Sequence, residues 1–173
     1  MAPTVWRYSL QSEHHEGWAV FLLDSYGMLA VASDYGNYVH HWPRGGWGTG
    51  DFRVFLLGID PSYLIGKLGH GRTVLDPAGT ERRIRDTVLR ARREQYLTKD
   101  RAQSEWDRVG ASDFADVVSF HDWYLNTSLE DAYELAVYQP EPQLVAFTQR
   151  VWPRFLAALR EDLGQQQPKE AHA

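Results

Sequence analysis

The sequence predicts an α+β fold: a small N-terminal antiparallel sheet of about four strands packed against a mostly helical C-terminal part. Three observations carry that expectation. Runs rich in aromatic and β-branched residues recur about every ten residues up to Trp42. A glycine-rich stretch, Pro43 to Gly50, then interrupts them, and from Asp51 onward the apolar spacing becomes helical. The 173 residues suffice for one domain with a real core, taken as residues 1–164, followed by a polar tail at 165–173.

Val5 to Leu10, Trp18 to Leu23, Met28 to Ala32 and Tyr38 to Trp42 read as the strands. The segments between them, such as Asp24-Ser25-Tyr26-Gly27 and Asp34-Tyr35-Gly36-Asn37, carry turn residues and are short enough to join neighbours into an antiparallel meander. In the second turn Gly36 supplies a positive φ; in the strand after it the pleat puts Tyr38, His40 and Trp42 on one face, and since a core takes the larger apolar set, Tyr38 and Trp42 are expected to face the helices.

Asp51 is placed to cap a helix over Phe52 to Leu57. Asp60-Pro61 and Asp76-Pro77 repeat one start signal, an acid that caps followed by a proline whose missing N–H costs nothing at the first helical position. The first opens a helix to Leu68 and the second a long one to about Tyr96, with Gly69-His70-Gly71 between them. Apolar stripes then follow at Ala102, Trp106 and Val109, at Phe114, Val117, Val118, His121 and Leu125, and at Leu129, Ala132, Tyr133, Ala136 and Val137. Ser128 with Asp131 has the spacing of a capping box. Gln139-Pro140-Glu141-Pro142 ends that segment, and Pro153 is expected to kink or split a last helix from Leu144 to Leu163.

Absent residue types narrow the chemistry. With no cysteine, disulfides, thiolate zinc sites and a cysteine nucleophile are excluded. Neither a secretory leader nor a run of apolar residues long enough for a membrane span is visible. His14-His15 and His40-His41 tempt a metal reading, but on a strand adjacent side chains point to opposite faces, and no HExxH or HxH motif supports it. His121-Asp122 has the adjacency of metal-dependent phosphohydrolases without their further ligands, so His121 reads as a partly buried core histidine. The stretch Gly45-Gly46-Trp47-Gly48-Thr49-Gly50 lacks a following lysine, and the helix after it opens with Asp51, whose charge repels phosphate. There is no G-x-S-x-G elbow. No catalytic, cofactor or metal residue is assigned.

Charge is more informative than its total of −5. Residues 59–97 carry 8 Lys and Arg against 5 acids, whereas residues 98–173 carry 7 against 13. The helix opened by Asp76 concentrates the positive charge in Arg82, Arg83, Arg85, Arg90, Arg92 and Arg93. Such a cluster either holds phosphates or an acidic protein face, or is a solvated surface with snorkelling stems. Read as a surface for a partner, it offers Arg82, Arg85, Arg92 and Arg93, with Trp47 as an aromatic contact.

Ser33-Asp34-Tyr35-Gly36-Asn37-Tyr38 with Trp42, then Asp51-Phe52 with Phe55-Leu56, then Asp60 with Tyr63-Leu64 and Lys67-Leu68, form a pattern across residues 17–68. It resembles uncharacterised proteins encoded by bacteriophages and prophages. The resemblance brings no activity. It implies a small accessory protein of a mobile element acting in the bacterial cytoplasm. Proteins of that class, anti-CRISPR proteins among them, often bind and block a host or anti-phage complex. The expectation is therefore a non-enzymatic binder or inhibitor of a host or defence protein or ribonucleoprotein, without cofactor. The alternative is a small phage enzyme, or a nucleic-acid-binding protein using the basic helix, with a site the sequence does not display. Residues after 70 fall outside the pattern, so the basic helix and acidic third read as a separate elaboration.

Overall fold

Period-two alternation of apolar residues builds the sheet. In the computed structural model, which describes residues 2–48 and 50–166, strands β1 (Val5–Leu10), β2 (Ala19–Asp24), β3 (Met28–Ser33) and β4 (Gly36–His41) pair as an antiparallel meander in that order. Register places Phe21 opposite both Tyr8 and Val31, and Val31 opposite Tyr38. Ala19, Phe21 and Leu23 are fully buried while Leu22 between them faces out. A one-residue slip would reverse that set, so burial on one face fixes the register. Asp24 holds the β2–β3 turn by accepting from the backbone N–H groups of Tyr26 and Met28, both at 2.9 Å.

Helices α1 (Phe52–Leu57), α2 (Pro61–Leu68), α6 (Pro142–Arg150) and α7 (Trp152–Gln166) share the sheet's core. Asp51 and Asp60 cap the first two as the sequence implies, accepting from the N–H groups of Arg53 and Ser62, both at 2.8 Å. Tyr38 and Trp42 are buried against these helices, also as expected. Phe21 stacks on Phe155 at 4.0 Å between ring centroids and lies near Phe147 and Trp152. Pro153 splits the last helical pattern in two, with Val151 capping α6 and the proline in the first turn of α7.

One buried charge was not visible in the sequence. Arg53 is 5% exposed. Its Nη2 lies 2.7 Å from Asp51 and its Nη1 2.9 Å from Asp162 of α7, and its guanidinium carbon sits 4.5 Å from the centroid of the Trp6 ring. Tyr8 donates to the same Asp162 oxygen at 2.6 Å. Burial, reinforced by Asp162, pushes the Tyr8 hydroxyl up to about 12. The cluster fastens β1, α1 and α7 together.

The described residues divide into two compact units: those up to 72 together with 140–166, and residues 73–139. The second contains β5 (Thr73–Leu75), α3 (Pro77–Arg93), α4 (Lys99–Gly110), α5 (Val117–Asn126) and a 3-10 turn at Ala132–Leu135; β6 (Tyr138–Pro140) pairs with β5. Its own core gathers Leu75, Ile84, Val88, Val109, Phe114, Phe120, Trp123, Ala132 and Leu135. Among the described residues no helix is long and apolar enough to cross a membrane. The expected polar tail lies outside the described residues from 167 onward; Gln165 and Gln166 still belong to α7.

Three expectations fail in the second unit. The stripe assigned to α5 points outward: Val117, Val118 and Leu125 are 52%, 68% and 64% exposed and His121 is exposed, not part of the core. Phe120 and Trp123 face inward instead, because two large rings remove more apolar area from water than the valines and leucine. No α-helix forms over 129–137. Asp131 takes a left-handed φ of 50°, and the backbone of Val137 donates to Thr80 Oγ1 and accepts from Asp76 N–H, so the segment leaves as β6. The residue before Pro140 is disfavoured in a helix in any case. The capping box lies at Asp116 and Ser119, not at Ser128 and Asp131. Ser128 instead donates through N–H and Oγ to the buried carboxylate of Glu105, at 3.0 and 2.9 Å.

Candidate interaction surface

The basic helix α3 starts from Asp76, whose carboxylate accepts from Gly79 N–H at 3.0 Å, with Pro77 in the first turn. A Cβ at Gly79 would run into that carboxylate, so glycine is what lets the cap close. Thr80, Ile84 and Val88 form the buried stripe, leaving a wide outer face. On it Arg82, Arg83, Arg90, Arg92 and Arg93 are exposed. Six arginines against Glu81 and Asp86 give the helix a strong positive field in a unit that carries nine Lys and Arg against thirteen acids.

The structure divides the sequence-derived surface residues into two groups. Among the described residues, Arg82, Arg92 and Arg93 form no ion pair or side-chain hydrogen bond. Arg85 is engaged within the fold: its Nε and Nη2 each lie 2.8 Å from Glu81, and its guanidinium carbon rests 4.4 Å from the centroid of the Trp106 ring, tying α4 to α3. Trp47 belongs to the other unit, where its indole N–H donates to the Trp42 carbonyl at 3.0 Å and its ring packs 5.3 Å from Phe52. It closes the glycine-rich loop over the sheet core. The structure brings Arg82, Arg92 and Arg93 together on one helix and leaves Trp47 out of that group.

Sequence reasoning missed a feature beside these arginines. Between α3 and α4 runs a groove of about 290 Å³ lined by Leu89, Arg92, Lys99, Ala102, Gln103 and Trp106, with two cations and no acid in its walls. Thr98 places Lys99 at the first position of α4 by capping that helix, accepting from Arg101 N–H at 3.3 Å. Leu89 falls outside the buried stripe and is 42% exposed. An apolar residue on an otherwise charged face was the available signal.

A cavity in the sheet unit has a different character. It measures about 630 Å³ and is bordered by the Ser33–Val39 segment with His70, Arg72 and Glu141. Its polar groups hold the β3–β4 turn: Ser33 Oγ donates to Gly36 O at 2.8 Å, Asp34 accepts from Gly17 N–H at 2.7 Å, and Tyr38 donates to Tyr35 O at 2.6 Å. His70 is bonded to Val39 O at 3.1 Å. Nearby His40 is held below its ordinary pKa by burial, with Lys67, His70 and His41 adding to the effect. His40 lies against Trp42 and His41 bonds to Tyr26 O, so the pair is divided between separate environments. His14 and His15 occupy the β1–β2 turn with φ of 51° and 73°. Among the described residues no three of His, Cys, Asp and Glu converge on a point where a metal ion would be held.

The geometry is that of a two-unit α+β protein whose most distinctive surface is a basic helix with a groove at its flank. The chain belongs to a phage family: the family model Phage_phiTE_072, described as a phage family, matches residues 2–161. The match runs well beyond residues 17–68, so α3, α4 and the acidic third lie within the family and are not a separate elaboration. Comparison with the curated proteins gives no match, and comparison with the solved structures gives none.

Proposed function

We propose that this phage protein is a non-enzymatic binder that inhibits a host or anti-phage defence protein or ribonucleoprotein complex in the bacterial cytoplasm, seating an acidic face of its partner on Arg82, Arg92 and Arg93. One observation carries the reading: exposed arginines concentrated on α3 take no part in holding the fold, in a unit that is otherwise acidic. Arginine presents a planar fork suited to carboxylates, and a basic face on an acidic body orients an approaching acidic surface. Duplex or single-stranded nucleic acid is the less favoured occupant, because a net charge of −5 opposes the polyanion at long range.

The test is affinity capture from the natural host with the wild-type protein and with Arg82→Glu/Arg93→Glu. The reading expects a defined host or defence component retained by the first and lost by the second, at equal melting temperature. Retention by both, or retention only of nuclease-sensitive nucleic acid, contradicts it.

A further inference from the structure

We infer that the groove between α3 and α4 is an anchor pocket for an acidic peptide segment, taking one large apolar side chain while flanking carboxylates meet Arg92 and Lys99. The inference rests on the reading of α3 as a binding face and specifies what that face recognises. The walls supply both halves of such a ligand. Leu89, Ala102 and Trp106 provide apolar surface, and the only charges in the lining are the two cations. Trp106 is held in place by Arg85 stacked on its ring, itself anchored to Glu81, so this wall is set before any ligand arrives. A volume of about 290 Å³ lies at the lower end of ligand cavities and suits one aromatic or aliphatic anchor.

Charge complementarity selects the occupant. A purely apolar ligand would leave Arg92 and Lys99 uncompensated at the rim, and a purely acidic one would leave Leu89 and Trp106 wet. A polynucleotide would pair with the cations, but the thirteen acids of the surrounding unit oppose a repeating phosphate chain more than they oppose a short peptide with a few carboxylates.

The test titrates the full chain with three labelled probes: a short Asp/Glu peptide with one central phenylalanine, the same peptide with serine in that place, and oligothymidylate. The phenylalanine peptide is expected to bind at least about tenfold more tightly than the serine peptide, since burial of the ring is the difference between them. Leu89→Asp should remove that preference, and Leu89→Ser decides the matter if the first variant fails to fold; Arg92→Glu/Lys99→Glu should weaken both peptides more than Arg82→Glu/Arg93→Glu does. Arg82→Glu/Arg93→Glu should weaken both peptides alike and keep the ratio. Equal binding of the two peptides, no binding of either, or tighter binding of oligothymidylate would overturn the inference. If host capture depends on Arg82 and Arg93 while the peptides bind equally, the groove assignment falls and the proposed function stands.

Discussion

The guanidinium carbon of Arg85 lies over Trp106, 4.4 Å from the ring centroid, a contact that joins α4 to α3. Glu81 one turn earlier fixes the arginine at 2.8 Å. The neighbouring Arg82 makes no comparable contact within the described residues. Adjacent arginines therefore have different work. Arg85→Ala should lower stability by about 1 kcal/mol, whereas Arg82→Ala should change it by less than about 0.5 kcal/mol. Urea unfolding of the two variants measures the difference; equal midpoints would return both residues to the solvated face.

Arg53 presents the stronger case of charge used inside the fold. Removing it takes from the carboxylates of Asp51 and Asp162 the cation they share. The carboxylates left behind are 30% and 34% exposed, so water screens part of the loss, which is about 1–2 kcal/mol. Arg53→Met should therefore shift the thermal midpoint far more than any substitution on the outer face of α3. A midpoint within a degree or two of wild type would show that the cluster does not fasten the helices.

Glu105 gives the second unit a dependence on acid. Burial pushes its carboxyl up, but the N–H of Ser128, the hydroxyls of Thr127 and Ser128, and the Arg108 charge together hold it below the ordinary carboxylate value. A depressed folded pKa means the stabilisation is complete above the unfolded value near 4.3 and is lost as pH falls through the lower folded value. Wild type should lose stability across that window, and Glu105→Gln should be less stable at neutral pH yet flatter with acid. Denaturant unfolding at a series of pH values reads both slopes; parallel curves would rule out Glu105 as the group responsible.

Gly36 sits at φ 124°, and a Cβ there would lie 2.9 Å from the Tyr38 hydroxyl, which is bound to Tyr35 O. Gly36→Val should therefore destabilise by more than about 1 kcal/mol through both backbone strain and displacement of the tyrosine. Unchanged unfolding, measured by circular dichroism, would mean that the Ser33–Tyr38 segment does not hold the sheet register.

Much of this architecture was legible because it depends on local rules. Phe52–Leu57 forms the helix that Asp51 implies, Pro61 and Pro77 open helices behind their capping acids, and the strands alternate as their residues do. What escaped was set by competition between distant groups. The choice of Phe120 and Trp123 over Val118 and Leu125 as the inner face of α5 depends on which rings Phe114 meets, as it does at 5.8 Å from Trp123. The turn of the chain at Val137, just before β6, depends on Thr80, fifty-seven residues earlier. Arg53 looks like any surface arginine until Asp162 arrives from the other end of the chain. For the interaction surface, the arginines were visible as a cluster. Their division into Arg85, committed to the fold, and Arg82, Arg92 and Arg93, exposed, required the position of α4, as did the groove beside Leu89.

In the proposed function the charge of the α3 outer face captures an acidic partner. The most direct measurement is the dissociation constant of the captured host component for three forms of the chain: wild type, Arg82→Glu/Arg92→Glu/Arg93→Glu, and the same three positions changed to lysine. Affinity should fall by about a hundredfold or more in the glutamate form, as like charges replace attractive ones, and by much less in the lysine form, which keeps the charge but not the planar fork, with melting temperatures unchanged in both. Affinity that is the same in wild type and the glutamate form would contradict it.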